Sequence, residues 1–189
     1  MILINNAKIV GYKEEKNILI ANDRIIDISS KDLAYEVDER YDADGKYVIP
    51  GLIDQHIHIT GGGGEGGFHT KVPEIGLSKL VEAGITTAVG LLGTDSETRS
   101  VENLVAKSLA LTNEGIKTYS LTGSYNFPSP TITGSIKKDI IFVDQLIGVK
   151  IAANDHRDSS ISYKELQKIG SQARVAGMIS GKSGHVTIH

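Results

Sequence analysis

Cysteine is absent from the 189 residues, so disulfides and thiolate metal sites are excluded. Any metal must therefore be held by imidazole or oxygen ligands. A surplus of basic charge is also missing. The formal net charge is −3, which leaves no basic signal of the kind that marks a nucleic-acid partner, and none is expected. No run reaches the roughly 18 apolar residues of a membrane span, so no membrane partner is expected either. Residues 1–10 do not read as a secretory leader, because Asn5 and Asn6 interrupt them and both a basic start and a long apolar core are lacking. The expectation is a cytoplasmic protein. Histidine is missing from the first 55 residues, whereas positions 56, 58, 69, 156, 185 and 189 all carry it, so the two parts have different tasks.

What is present is an ordinary soluble composition, 40% hydrophobic and 23% charged, in a chain long enough to bury a real core. The first part reads as short strands over 2–4, 7–10, 17–21, 24–28 and 47–49. Asn22-Asp23 and Asp44-Gly45 are turn signals between them, and Pro50-Gly51 marks a boundary. A small β-rich domain over 1–50 and a second domain over 51–189 are expected.

From residue 51 onward, strands alternate with helices. Strands are predicted over 52–58, 85–92, 118–121, 147–152 and 186–189. One helix is predicted over 74–83, with Ile75, Leu80 and Val81 on its apolar face and Gly84 as its stop. A second starts at a Ser100 cap with Val101, Leu104, Val105 and Leu109 inward, and Gly115 ends it. A third follows Ser135 to about Asp144. The fourth opens on the capping-box spacing of Ser162 and Glu165, with Leu166, Ile169, Ala173 and Ala176 inward. Such alternation implies a parallel sheet with right-handed crossovers, closed as a doubly wound sheet or a (β/α)8 barrel. In either, ligand-binding groups belong at the carboxyl ends of the strands. His56, His58, Thr94, Tyr125, Lys150 and His189 all fall there.

Residues two apart in a strand share a face, so His56 and His58 point to one side and can bind one divalent ion, most naturally zinc. Satisfied strand-end histidines are the alternative. The run Gly61-Gly62-Gly63-Gly64-Glu65-Gly66-Gly67 suits only a loop, whose N–H groups can approach a ligand and whose single carboxylate can meet an ammonium group. It is not a nucleotide loop. No Gly-Lys-Ser/Thr follows it, and Gly181-Lys182-Ser183 has Ala176 where a leading glycine is needed. Lys150 lies inside an apolar strand, where a charged amine is costly. It must snorkel, pair, lose its proton or be modified. His185 sits at the start of a strand and is given a structural role. His69 reads as a solvated loop residue, and Asp155 and His156 as shaping their loop.

The stretch VIPGLIDQHIH resembles the signature of the amidohydrolase superfamily, and the longer HIHITGGGGEGGF is similar to the isoaspartyl (β-aspartyl) dipeptidases in particular. The resemblance implies an α/β fold, the first part (about five strands) of a (β/α)8 TIM-type barrel preceded by a small β-sandwich-like domain. It implies two zinc ions per complete site, held by His56, His58, His189 and a Lys150 carboxylated by CO2 to a bridging carbamate. It also makes Glu65 the group that recognises a substrate α-amino group, with Gly63, Thr94 and Arg157 as further substrate contacts. Tyr125 would polarise the scissile carbonyl. The implied reaction is hydrolysis of a β-aspartyl dipeptide, and the implied assembly a homo-oligomer. The family's remaining zinc-binding histidine and proton-shuttling aspartate would lie beyond residue 189, so a chain of this extent is expected to be inactive alone. A dihydroorotase- or hydantoinase-like activity on cyclic amides, and a non-catalytic metal-binding or assembly role, are the competing readings; the Glu65 loop and Arg157 argue against the cyclic amides.

Overall fold

A computed structural model describes residues 1–31 and 35–189, and the chain divides into the units Met1–Pro50 and Gly51–His189. In the first unit, β1 (Ile2–Ile9), β2 (Lys16–Ala21), β3 (Arg24–Ser29) and β4 (Glu39–Asp42) form a sheet in the order β3-β2-β1-β4, while β5 (Tyr47–Val48) pairs with the far end of β1. Among the described residues, Leu3, Ala7, Ile18 and Leu19 are its buried hydrophobic side chains. The hairpin between β2 and β3 turns on Asn22 and Asp23, both at positive φ (49° and 60°). That backbone suits a two-residue turn matching the strand twist. The two strands predicted over 2–4 and 7–10 are one strand with an irregularity between Ile4 and Ala7, where Asn6 adopts φ 53°. Strand β4 was not predicted; its sequence ERYD is exposed throughout and carries no apolar alternation.

The second unit is a curled parallel half-barrel sheet, an amino-terminal part of a TIM barrel. Its strands β6 (Leu52–Ile57), β7 (Ile85–Gly90), β8 (Lys117–Gly123), β9 (Leu146–Ile151) and β10 (His185–Ile188) lie side by side in chain order. Helices α1 (Leu77–Glu82), α2 (Val101–Asn113), α3 (Ile136–Phe142) and α4 (Tyr163–Ser180) fill the crossovers. Leu80 of α1 and Leu104 and Leu111 of α2 pack with Ile59, Ala88, Leu92 and Leu146. Ile136 and Ile140 of α3 pack with Val149, Ile151 and the inner face of α4 (Ile169, Ala173, Ala176). Each fully buried leucine or isoleucine contributes about 1.5–3 kcal/mol relative to exposure.

Helix starts follow side-chain chemistry. Ser100 and Ser135 accept from the backbone N–H groups of Asn103 and Lys138, and Ser162 and Glu165 form a reciprocal capping box. Gly181 ends α4 in the left-handed region, at φ 70°. Two expectations need correction. Helix α1 starts at Leu77, not near 74, because the preceding segment is drawn into other backbone bonds, Ile75 N–H to the Ile59 carbonyl and Val72 N–H to that of Gly62; on it Val81 points to solvent (59% exposed). On α2 the inward stripe is Val101, Leu104, Ser108 and Leu111, and Leu109 is 42% exposed. Ser108 is tolerated in the core because its hydroxyl bonds that of Ser120 on β8.

Candidate active site

The half-barrel sheet delivers its polar residues to the carboxyl ends of its strands. His56 lies near the end of β6 and His58 just beyond it, their rings 6.0 Å apart. Burial depresses the pKa of both. For His56 the charge of Lys150 adds to this, and for His58 Asp95 partly opposes it. Both rings are thus kept neutral, the state in which imidazole binds metals. Lys150, on β9, is 0% exposed and its Nζ has no hydrogen-bond partner. Burial alone lowers its pKa from 10.5 to about 8. His58 Nδ1 is likewise buried without a partner. Among the described residues, no three His, Asp or Glu side chains are gathered closely enough to hold a metal by themselves. Lys150 lies near enough to His56 and His58 for its charge to depress both.

The glycine loop forms the opposite wall. Gly61 adopts φ 81°, and a Cβ there would lie 2.1 Å from the Val72 carbonyl oxygen, so only glycine fits. Arg99 closes the neck of the loop. Its Nε donates to the Thr60 carbonyl at 2.8 Å and Nη2 to the Val72 carbonyl at 2.6 Å, and it pairs with Asp95 at 3.0 Å. Glu65 is thereby carried to the cavity, where the Thr94 hydroxyl donates to it at 2.7 Å and Arg157 Nη1 at 3.0 and 3.1 Å. These donors, Thr94 foremost, hold its carboxyl below the usual range. Arg157 gives its other edge to Asp155, through Nε and Nη2, each at 2.9 Å. Tyr125, 7% exposed, sits among these groups, its ring 4.9 Å from that of His189, 5.5 Å from Lys150 Nζ and 5.4 Å from Arg157 Cζ. Burial raises the Tyr125 pKa, so its phenol stays protonated as a donor.

A cavity of about 610 Å³ is lined by His58, Gly63, Glu65, Thr94, Tyr125, Arg157 and His189, together with Pro73, Ile75 and Asp95. The structure thus gathers seven of the nine singled-out residues on one surface. Lys150 lies beneath it, and His56 opens onto a separate hollow with Leu52 to Gln55, Ala83 and Ile85. His69 lies on a 3-10 turn (Phe68–Thr70) away from the lining, and His185 packs on Gly148 and bonds Ser183 at the start of β10. Two contributors escaped the sequence reading. Arg99 is signalled only by its i,i+4 spacing from Asp95. Asp139, fully buried, accepts from Thr122 Oγ1 and from the N–H groups of Ile132 and Thr133, and so anchors the loop after β8 that carries Tyr125. No local pattern announced it.

No family model matches the chain. A crystal structure of β-aspartyl dipeptidase from the thermophilic keratin-degrading Fervidobacterium islandicum AW-1 superposes with TM-score 0.92 at 47% identity, covering 100% of this chain and 53% of that one. A second structure from the same organism, in complex with the β-Asp-Leu dipeptide, gives 0.92 at 46%, covering 100% and 50%. A D-hydantoinase matches with TM-score 0.62 at 20% identity over 100% of this chain and 39% of its own, a likeness of fold alone. Among curated proteins, 5-methylthioadenosine/S-adenosylhomocysteine deaminase of Bacillus thuringiensis is 42% identical over 63 aligned residues, 29% of this chain and 14% of the deaminase. The chain spans about half the length of the dipeptidases it matches. From end to end, the chain is similar to the β-aspartyl dipeptidases of the amidohydrolase superfamily.

Proposed function

We propose that these residues form the metal-binding and substrate-recognising part of a hydrolase that cleaves β-aspartyl dipeptides at a two-zinc centre. The observation that carries this reading is the buried, unpartnered amine of Lys150 beside His56, His58 and His189. A pKa of about 8 leaves roughly a tenth of the amine neutral at pH 7. A neutral amine can attack CO2, losing a proton and gaining a carboxylate, which supplies the oxygen ligand the imidazoles lack. His56 and His58 would then hold one zinc, His189 the other, with the Lys150 carbamate between them. Zinc bound there supplies Lewis acidity and lowers the pKa of water.

The remaining residues handle the dipeptide. Glu65, kept ionised by Thr94 and Arg157, takes the α-ammonium group. Arg157 offers its planar fork, and Gly63 a backbone N–H, to a carboxylate. Tyr125, a protonated phenol in a dry setting, donates to the carbonyl oxygen as negative charge builds on it. A cavity of about 610 Å³ suits a dipeptide-sized ligand.

The test is zinc uptake by the purified chain with and without bicarbonate, alongside Lys150→Ala and a carbon-13 label to detect the carbamate. Zinc binding should need bicarbonate and vanish in the variant. Uptake indifferent to both removes the basis of the metal assignment. With the metal in place, binding of β-Asp-Leu in preference to a hydantoin supports the dipeptide, and the reverse preference replaces it with a cyclic amide.

A further inference from the structure

One carboxylate outside the cavity lining touches two of the residues that line it, Arg157 and His189. Asp155 lies in the loop after β9. Its Oδ1 accepts from the backbone N–H of Arg157 at 2.8 Å and from Nε at 2.9 Å. Its Oδ2 accepts from Nη2 of the same guanidinium at 2.9 Å and meets Nε2 of His189 at 3.2 Å. The aspartate is itself fixed, since its N–H donates to Asp158 Oδ2 at 2.9 Å. The backbone of His189 is fixed alongside. Its N–H donates to the Ile151 carbonyl at 3.1 Å, and its carbonyl accepts from Ala153 N–H at 3.0 Å. Asp155 is only 13% exposed, so these contacts are little diluted by water.

We propose that Asp155 is a positioning residue that aligns the substrate clamp Arg157 and the metal ligand His189 through a single carboxylate, so that metal occupancy and substrate capture depend on the same group. The inference rests on the zinc-dipeptide reading of the site. Two geometric consequences follow. Occupying the Nε–Nη2 edge locks the guanidinium plane and leaves Nη1, which now bonds Glu65, to face the cavity. A clamp already oriented loses less conformational freedom when it takes hold of a carboxylate. At His189, a carboxylate 3.2 Å from Nε2 restrains the ring from that side and leaves Nδ1 as the nitrogen available to a metal, the arrangement of an outer partner behind a metal-bound imidazole.

The test compares Asp155→Asn with Asp158→Asn, a neighbouring carboxylate that bonds only loop backbone N–H groups. Two binding readouts are taken on the bicarbonate-treated protein: zinc titration against a chelator, and calorimetry with L-aspartate as the probe. Asp155→Asn should weaken the second zinc equivalent about 10- to 100-fold and leave the first in place. At saturating zinc, L-aspartate binding should still be weakened about tenfold or more, and Asp158→Asn, whose amide oxygen can still accept from the Asp155 N–H, should change neither. Unchanged binding in Asp155→Asn, or equal losses in both variants, overturns the positioning role and reduces Asp155 to shaping its loop. If Asp155→Asn does not fold, Asp155→Glu, which keeps the charge but displaces it, should show the same two losses to a smaller degree, and intact binding in it counts against the role. Wild-type protein that takes up no zinc under these conditions would instead overturn the metal reading itself, and the inference with it.

Discussion

Replacing Lys150 by methionine should stabilise the metal-free protein at neutral pH by about 3 kcal/mol. Lys150 is wholly enclosed and its Nζ has no partner. Its pKa falls from 10.5 to about 8 through burial. At about 1.4 kcal/mol per pKa unit, the folded state carries a penalty of roughly 3 kcal/mol whenever the amine is charged in both states. Below pH 8 both states are protonated and the penalty is complete. Between about 8 and 10.5 the unfolded chain holds the proton and the folded chain does not, so stability rises with pH. Above that window both forms are neutral and the charge penalty is gone. Methionine keeps most of the lysine's methylene volume without the charge.

The assay is urea denaturation of wild type and Lys150→Met at pH 7 and near pH 10, in chelator and CO2-free buffer. The variant should gain stability at pH 7, lose most of that advantage near pH 10, and show an unchanged m-value. A gain of equal size at both pH values would show that packing, not the amine's charge, is responsible. No gain at all would show that the amine is not desolvated as the structure has it. Adding zinc and bicarbonate should reverse the order. A ligand at a hundred times its Kd adds about 2.7 kcal/mol to the wild type, and the variant should lack that increment.

Three further outcomes are expected. In a protein carrying the complete barrel, Tyr125→Phe should lower kcat for β-Asp-Leu by about 10²–10³ with zinc content unchanged, as for loss of one oxyanion donor; undiminished turnover removes the phenol from that role. Gly61→Ala places a methyl 2.1 Å from the Val72 carbonyl at φ 81° and should destabilise by about 1–3 kcal/mol or displace the glycine loop, seen as a fall in melting temperature or weaker dipeptide binding. Ser162→Ala removes half of the α4 capping box and should cost about 1 kcal/mol in urea denaturation while leaving zinc uptake intact.

The alternation of strands and helices was readable because each strand–helix step carries its own punctuation, whereas the barrel closure came only with the family resemblance. Ser100, Ser135 and Ser162 cap their helices where the spacing placed them, and Gly84 and Gly181 fall where chain direction changes. What was not readable depends on partners distant in sequence. Leu109 fits an apolar stripe as well as Leu111 does, and only the fold, where Ser120 supplies a hydroxyl partner for a buried Ser108, shows which face is inward. Glu65 and Arg157, 92 residues apart, each look like a lone charge in a loop, and only the fold makes them a pair. Arg99 and Asp139 lie in ordinary polar contexts, and their tasks come from carbonyl and amide groups that the tertiary structure brings to them.

Two lysines show why the unsatisfied group is the informative one. Lys182, half-buried at the amino-terminal end of β10, donates Nζ to the carbonyls of Ile140, Val143 and Leu146 at 2.8, 2.7 and 3.3 Å. It compensates its own desolvation and neutralises the exposed carbonyl end of α3, a complete structural role. Lys150 lies deeper and has none of this. A domain whose whole stability is about 5–15 kcal/mol would gain by exchanging such a lysine for methionine or leucine. An ammonium retained at that expense, at the carboxyl end of a parallel strand beside two neutral imidazoles and a buried tyrosine, breaks the local packing rule where chemistry is to be expected. The proposed carbamylation would remove the conflict by replacing a buried cation that has no hydrogen-bond partner with an anion that cations can neutralise. Stability should therefore depend on CO2 and zinc together, with neither alone restoring what burial of the amine costs.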